Sequence, residues 1–387
     1  MDWDERTHRR ANLAANNPRI GGQFTDLALE QMQAFADEDP GLSALLQFDA
    51  LAQDWEALAE VGFVSSTEPS PVDDGEPEPP PALEATEKLR AKWGVEPGQV
   101  WTIRGKGGLV HRVLCGDCRR AEDVARLLDG RPVNVAFTSP PYAAQREYDQ
   151  ASEFRPVPPD QYVEWFDPVQ ENVRAHLADD ASWFVNIKPH CEDGQRVLYV
   201  ADLVIAHVRR WGWRFVDELC WVRAGVPGAW PNRFKNSFEP VFHFSREVSL
   251  KFRPDAVSHE TEHAFAYSPS NGTSVSGSGL LGKDHARGFH DGTARPGNVI
   301  AVGTGGTTVS GLHPAEFPVA LPEFFVRAYS DAGDAVYDPF LGGGATLLAA
   351  ERLGRAGLGM EMSPRYVAVV LERLAAAGLT PTLEATR

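Results

Sequence analysis

Two kinds of hydrophobic pattern divide this chain. In the first, Leu42, Leu45 and Leu46, then Leu51, Trp55 and Leu58, recur at three- and four-residue steps, which predicts two or three short amphipathic helices within residues 24–62. In the second, beyond residue 99, short apolar runs alternate with helix-length segments. Val100 to Ile103 and Val110 to Leu114 flank the turn-forming Gly105-Lys106-Gly107-Gly108 and predict a hairpin. A helix at Ala121 to Leu128, a strand at Val133 to Phe137, a helix near 160–177, a strand at Trp183 to Ile187 and a helix from Val197 to Trp211 follow. Strands near 213–223 and 239–245 come next. After a break, the pattern resumes with a helix around 318–330, a strand at Ala335 to Tyr337, a helix from Ala345, a strand at Gly357 to Met360 and a helix from Pro364 to Ala377. Strands separated by helices of this length imply an α/β fold of parallel βαβ units, with helices on both faces of the sheet.

Two stretches depart from these rhythms. Ser65 to Leu83 holds six prolines among Glu, Asp and Ser, which favours an extended, solvated linker. Tyr267 to Gly311 is crowded with Gly, Ser, Thr and Asn and reads as long loops. The expected organisation is an acidic helical extension over 1–64, a Pro/Glu-rich linker and lead-in over 65–98, and regular α/β structure over 99–245. A loop-rich insertion at 246–312 and a final α/β part at 313–387 complete it.

Composition narrows the class. Of the 387 residues, 43% are hydrophobic and 24% charged, values of a globular protein. No apolar stretch approaches the ~20 residues of a membrane span. The acidic start, Met-Asp-Trp-Asp-Glu, is unlike a secretory signal, so a cytoplasmic location and no membrane are expected. Cys115 and Cys118 form a C-x-x-C, but no second ligand pair stands at zinc spacing, so no metal is expected. The net charge of −17 argues at first against a polyanionic partner, but it is unevenly spread. Residues 1–100 carry 20 acidic and 7 basic side chains, and the remainder 34 and 30, so the part beyond residue 100 is close to neutral.

Two strand ends carry candidate chemistry. At one, Asp338-Pro339-Phe340-Leu341-Gly342-Gly343-Gly344-Ala345-Thr346 joins a strand to a helix, and its glycines let backbone approach a ligand where open α/β sheets bind cofactors. The loop lacks the lysine of a phosphate-binding P-loop and the G-x-G-x-x-G spacing of dinucleotide folds. Glu361, 23 residues after Asp338, ends the next strand, where a carboxylate can accept from ribose hydroxyls. A nucleoside without phosphates fits best. At the other strand end, Thr138-Ser139-Pro140-Pro141-Tyr142 combines two residues without amide donors, outward carbonyl acceptors and an aromatic ring on which a planar base can stack.

Together these motifs resemble the DNA amino-methyltransferases, which move a methyl group from S-adenosylmethionine to an exocyclic amine of a base. Ser139-Pro140-Pro141-Tyr142 is similar to the family's catalytic motif, the segment from Asp338 to its cofactor loop, and Gly116-Asp117 to its preceding strand end. His313-Pro314-Ala315-Glu316-Phe317-Pro318 is similar to the segment that opens the helix before the cofactor strand. The likeness spans about residues 99–377. The catalytic motif precedes the cofactor loop by nearly 200 residues, with the irregular segment between, which is the order of the β class. The resemblance implies a Rossmann-like S-adenosylmethionine-dependent fold with a circularly permuted motif order, an inserted target-recognition region and an N-terminal helical extension.

Residue roles follow from the same resemblance. Asp338, Pro339, Phe340 and Gly342, Gly343 and Gly344 would hold the methionine part of the cofactor, Glu361 its ribose and Asp117 its adenine amine. Thr138, His313 and Thr346 would line the same pocket. Ser139, Pro140, Pro141 and Tyr142 would be catalytic, acting on a base flipped from double-stranded DNA. Arg253, Lys283, Arg287 and Arg295 of the insertion, with Arg223, Arg233 and Lys235, are the expected DNA contacts. Serine in the first motif position favours cytosine N4, with adenine N6 as the alternative. A small-molecule methyltransferase and a non-catalytic DNA clamp are rival readings. A cognate restriction endonuclease and a homodimer are further expected partners that the sequence leaves open.

Overall fold

The strands at Val110–Cys115, Val133–Thr138, Ala335–Asp338 and Ala356–Glu361 are buried along almost their whole length, and the computed structural model describes residues 83–143, 155–192, 194–223, 234, 236–260, 293–302 and 317–385. Of the two units into which the chain divides, one comprises Gly75–Arg223, Phe238–Val302 and Thr308–Arg387 and holds nearly all of these residues. The other, Met1–Asp74, Ala224–Ser237 and Gly303–Thr307, is described only at residues 234 and 236–237, so the helices expected within 24–62 lie outside the described residues.

The elements begin with α1 (Leu83–Trp93), a helix in the lead-in where none was expected, and the hairpin strands β1 (Val100–Arg104) and β2 (Val110–Cys115). Next come α2 (Ala121–Leu128), β3 (Val133–Thr138), α3 (Tyr162–His176) and β4 (Leu177–Asn186). A small hairpin of β5 (Cys191–Glu192) and β6 (Gln195–Arg196) leads to α4 (Tyr199–Arg209), β7 (Arg214–Val222) and β8 (Phe238–Ser245). The expected loop-rich segment contributes, among its described residues, a 3-10 turn at Pro254–Val257 and three two-residue strands: β9 (His259–Glu260), β10 (Thr293–Ala294) and β11 (Val299–Ile300). The chain then runs through α5 (Ala320–Tyr329), β12 (Ala335–Asp338), α6 (Ala345–Arg352), β13 (Ala356–Glu361), α7 (Pro364–Ala376) and β14 (Thr380–Leu383). Ser363 caps α7 by accepting from the Tyr366 amide at 3.4 Å, and Pro364 fills the first turn, where its missing N–H is not needed.

Ten strands form one sheet in the order β11-β7-β8-β4-β3-β12-β13-β2-β1-β14. The centre, β4-β3-β12-β13-β2, is parallel as expected. Toward the margins the pairing is mixed: β8 pairs antiparallel with β4 and β7, β11 lies parallel to β7, β1 and β2 form the expected antiparallel hairpin, and β14 adds antiparallel to β1. The physical reason is exposure, because the first five residues of β7 face solvent and an antiparallel strand needs no helix over it. Alternate residues of the central strands feed two cores. Ala136, Trp183, Tyr337 and Leu358 pack with Val124, Phe166 and Leu203 of α2, α3 and α4, whereas Val135, Phe137, Phe184 and Val336 pack with Phe325 of α5 and Ala350 of α6.

This winding fixes where a ligand can enter. From β3 the chain crosses through α3 to β4, and from the adjacent β12 it crosses through α6 to β13, in the opposite direction across the sheet. Their carboxyl ends therefore border a topological switch point, the place where open α/β sheets leave a crevice.

Candidate active site

The two motifs end the two strands at this crevice, Ser139 following β3 and Pro339 following β12. Asp338 ties them together. Its carboxylate is fully buried and accepts from Thr138 Oγ1 at 2.8 Å, Thr346 Oγ1 at 2.6 Å and the Phe340 amide at 3.1 Å. Burial pushes its carboxyl pKa up to about 6, and the three hydrogen bonds oppose that shift. Asp338, Thr138 and Thr346, all expected to line the cofactor pocket, thus spend these groups on one another and hold the catalytic strand end against the cofactor loop.

The glycine loop is tethered on each side. Leu341 N donates to Met360 O at 2.8 Å, and buried Arg373 donates to Gly343 O at 2.7 Å. Gly344, at φ +82°, opens α6, and a Cβ there would meet Val370 at 3.1 Å. Gly344→Ala is therefore expected to cost roughly 1–2 kcal/mol in the left-handed conformation alone. A lowered thermal midpoint together with weakened S-adenosylmethionine binding in calorimetry is the expected result, and wild-type values for both would contradict it.

Glu361 faces the loop from the end of β13. It accepts from the Gly342 amide at 3.0 Å and the Ser363 amide at 2.8 Å, and burial pushes its carboxyl up to about 7. Asp117 is engaged by Arg119 through a two-pronged ion pair at 2.6–3.0 Å. The Arg119 guanidinium lies 5.8 Å over the Trp165 ring, which stacks on Phe340 at 5.7 Å.

At the catalytic motif a buried chain of polar groups appears that sequence reasoning missed. Ser139 Oγ lies 3.2 Å from Tyr142 Oη, and Tyr142 Oη donates to Glu239 Oε2 at 3.1 Å. The other Glu239 oxygen meets Lys188 Nζ at 3.1 Å and Arg223 at 2.7 Å. Tyr142 is only 6% exposed, so the ring expected as an open platform is largely covered, with the Lys188 ammonium 5.8 Å from its centroid. The Pro141 carbonyl accepts from Tyr162 Oη at 2.6 Å and the Ala143 amide at 3.1 Å. The signal for Glu239 was in the sequence: a lone glutamate inside the apolar strand Phe-Glu-Pro-Val-Phe-His-Phe needs a partner to be buried.

The expected DNA contacts fare unevenly. Arg223 belongs to the Glu239 cluster, Arg253 pairs with Asp331 at 3.2 Å and Arg295 with Asp255 at 2.8 Å. Arg233, Lys235, Lys283, Arg287 and His313 lie outside the described residues.

The N6/N4 methyltransferase family model, described as DNA methylase, matches residues 133–372, from β3 through the catalytic motif and cofactor loop into α7. The chain belongs to this family. It is 28% identical over 277 residues to the type II methyltransferase M.PvuII of Proteus hauseri, covering 64% of this chain and 80% of that protein. It is 23% identical over 250 residues to the type II methyltransferase M1.MboII of Moraxella bovis, covering 62% and 88%. Among solved structures, the PvuII DNA methyltransferase (cytosine-N4-specific) aligns at 24% identity with a TM-score of 0.49, over 67% of this chain and 85% of that one. This DNA methyltransferase of the N4/N6 class uses S-adenosylmethionine as cofactor. The residues present fit that molecule: Glu361 is a carboxylate with lone pairs beyond its backbone-amide partners, the Trp165 and Phe340 rings offer flat apolar surface, and no lysine of the phosphate-binding kind follows the glycines. Among the described residues, no helix of this methyltransferase is long and apolar enough to cross a membrane.

Proposed function

We propose that the enzyme methylates the exocyclic N4 amine of a cytosine flipped out of double-stranded DNA. The observation that carries this reading is the Ser139 hydroxyl at the end of β3, beside the crevice and hydrogen-bonded to Tyr142. The cofactor supplies an electrophilic methyl on a sulfonium. The amine is a poor nucleophile because its lone pair is delocalised into the ring, and it gains reactivity as the nitrogen becomes pyramidal. Ser139 Oγ and the Pro140 carbonyl would accept from its two hydrogens and stabilise the positive charge that develops there. Glu361 would accept the ribose hydroxyls, Asp117 the adenine amine and the Gly342 to Gly344 backbone the methionine part, so that much of the acceleration comes from alignment. Flipping costs a few kcal/mol in lost stacking, which contact with the uncovered part of the Tyr142 ring would partly offset.

The roles of the basic residues in the 246–312 segment, and of Arg233 and Lys235, are proposed as DNA contacts, with any cognate endonuclease and any homodimer as further partners. The test is direct. Pure protein is incubated with S-adenosylmethionine and unmethylated plasmid, and the digested nucleosides are quantified by mass spectrometry. N4-methylcytosine is the expected product. N6-methyladenine would transfer the reading to adenine, and absence of both would remove the DNA-methylation reading.

The ribose assignment has its own pH signature. Below about 7 Glu361 takes up a proton and becomes a poorer acceptor, so cofactor affinity is expected to fall by up to about tenfold per pH unit as pH drops through that value. Titration calorimetry between pH 5.5 and 8.5, with Glu361→Gln as the control that lacks this titration, checks the sign. A flat wild-type profile would separate Glu361 from the cofactor.

A further inference from the structure

We infer that Glu239 is a positioning residue that sets the direction of the hydrogen bonds through Tyr142, so that Ser139 meets the target base only as an acceptor. The inference rests on the proposed function and deepens it.

The argument follows the protons. Burial alone would push the Glu239 carboxyl up, but the Lys188 ammonium at 3.1 Å and the Arg223 guanidinium at 2.7 Å outweigh burial and hold it below the usual glutamate range. Glu239 is therefore ionised at neutral pH, and an ionised carboxylate only accepts. The single Tyr142 hydroxyl proton is then donated to Glu239 Oε2, across 3.1 Å. With that proton committed, Tyr142 Oη can only accept from Ser139 Oγ, 3.2 Å away, so Ser139 donates its own single proton to Tyr142. Toward anything else Ser139 Oγ presents lone pairs.

This polarity distinguishes bases. An exocyclic amine brings two N–H donors to Ser139 Oγ and the Pro140 carbonyl and pairs with both. A thymine or uracil carbonyl at the same place would set acceptor against acceptor, and a neutral hydroxyl free to turn would relieve that repulsion by donating instead. By taking the Ser139 proton away from the base, Glu239 makes the site select for an amine, although it lies one residue beyond contact with the substrate. Specificity built on matched buried donors and acceptors exceeds that of apolar fit.

The experiment is a double-mutant cycle on Glu239→Gln and Tyr142→Phe, read as the single-turnover rate of methyl transfer to DNA at saturating S-adenosylmethionine. Each single variant is expected to lose roughly 10- to 100-fold in rate with the KM for cofactor unchanged, and the double variant to be within about twofold of Tyr142→Phe, because residues acting as one unit are non-additive. A purely structural Glu239, holding Lys188 and Arg223, would give losses that multiply, and that outcome overturns the inference. Glu239→Gln leaves two cations without their counter-charge, so a second cycle on Ser139→Ala and Tyr142→Phe keeps the ion pairs intact and serves if the first variant does not fold. There the double variant is expected to match Ser139→Ala, and multiplying losses again overturn the proton order. The wild-type arm separates the two failures: a wild type that methylates DNA while the cycles multiply sinks the role of Glu239 alone, whereas a wild type that methylates no DNA sinks the underlying reading and the inference with it.

Discussion

Tyr142→Ala lowers turnover by about 10³-fold and leaves the S-adenosylmethionine dissociation constant within about twofold, if the ring and hydroxyl act on the base rather than on the cofactor. Two effects combine in that loss. The base loses ring surface, and Ser139 loses the acceptor that directs its proton, since Tyr142 Oη is 3.2 Å from Ser139 Oγ and bonded onward to Glu239. Removing a buried aromatic side chain also destabilises the fold by about 3–5 kcal/mol, so the rate must be measured below the lowered thermal midpoint. Tyr142→Phe separates the contributions, because it keeps the ring and removes only the hydroxyl. A non-catalytic DNA clamp would bind DNA as before in the alanine variant. An enzyme that retained more than a tenth of its turnover would have its base contact elsewhere.

Asp338→Ala is the second large effect, and here binding and stability fail together. The substitution strands the hydroxyls of Thr138 and Thr346 and the amide of Phe340 in a fully buried site. Each orphaned group costs about 1–3 kcal/mol, and a total of several kcal/mol is expected in denaturant unfolding, with S-adenosylmethionine binding weakened about 100-fold or more. Asp338→Asn keeps the shape and one carbonyl acceptor, and the Thr346 hydroxyl can turn to accept from the new amide, so most of the loss should be recovered. The wild type and the asparagine variant also differ in pH dependence. Burial raises the Asp338 carboxyl to about 6, above its ordinary value, so in the folded protein it holds a proton more tightly than in the unfolded chain. Its contribution is present at pH below the unfolded value and is lost as pH rises through about 6, a decline that the asparagine variant should flatten. If the alanine variant unfolds like the wild type, the strand ends are held together by something other than Asp338.

The sequence by itself determined the α/β class, the central strands and helices apart from the first six residues of β4, and the two motifs at strand ends, because apolar periodicity and glycine or proline placement are local properties of the chain. It also carried the family, since motif order survives in one dimension. The antiparallel margins, with β8 between β4 and β7 and β14 on β1, were decided in three dimensions, where exposure of a sheet edge rather than local pattern selects the partner. The same holds for the site. Ser139 and Tyr142 were legible as a motif, but Glu239 stands 97 positions after Tyr142 and Asp338 stands 200 after Thr138. Only folding brings such groups within hydrogen-bond reach, and only burial makes their pairing obligatory: a carboxylate withdrawn from water must find cations or donors, and the tertiary structure alone says which.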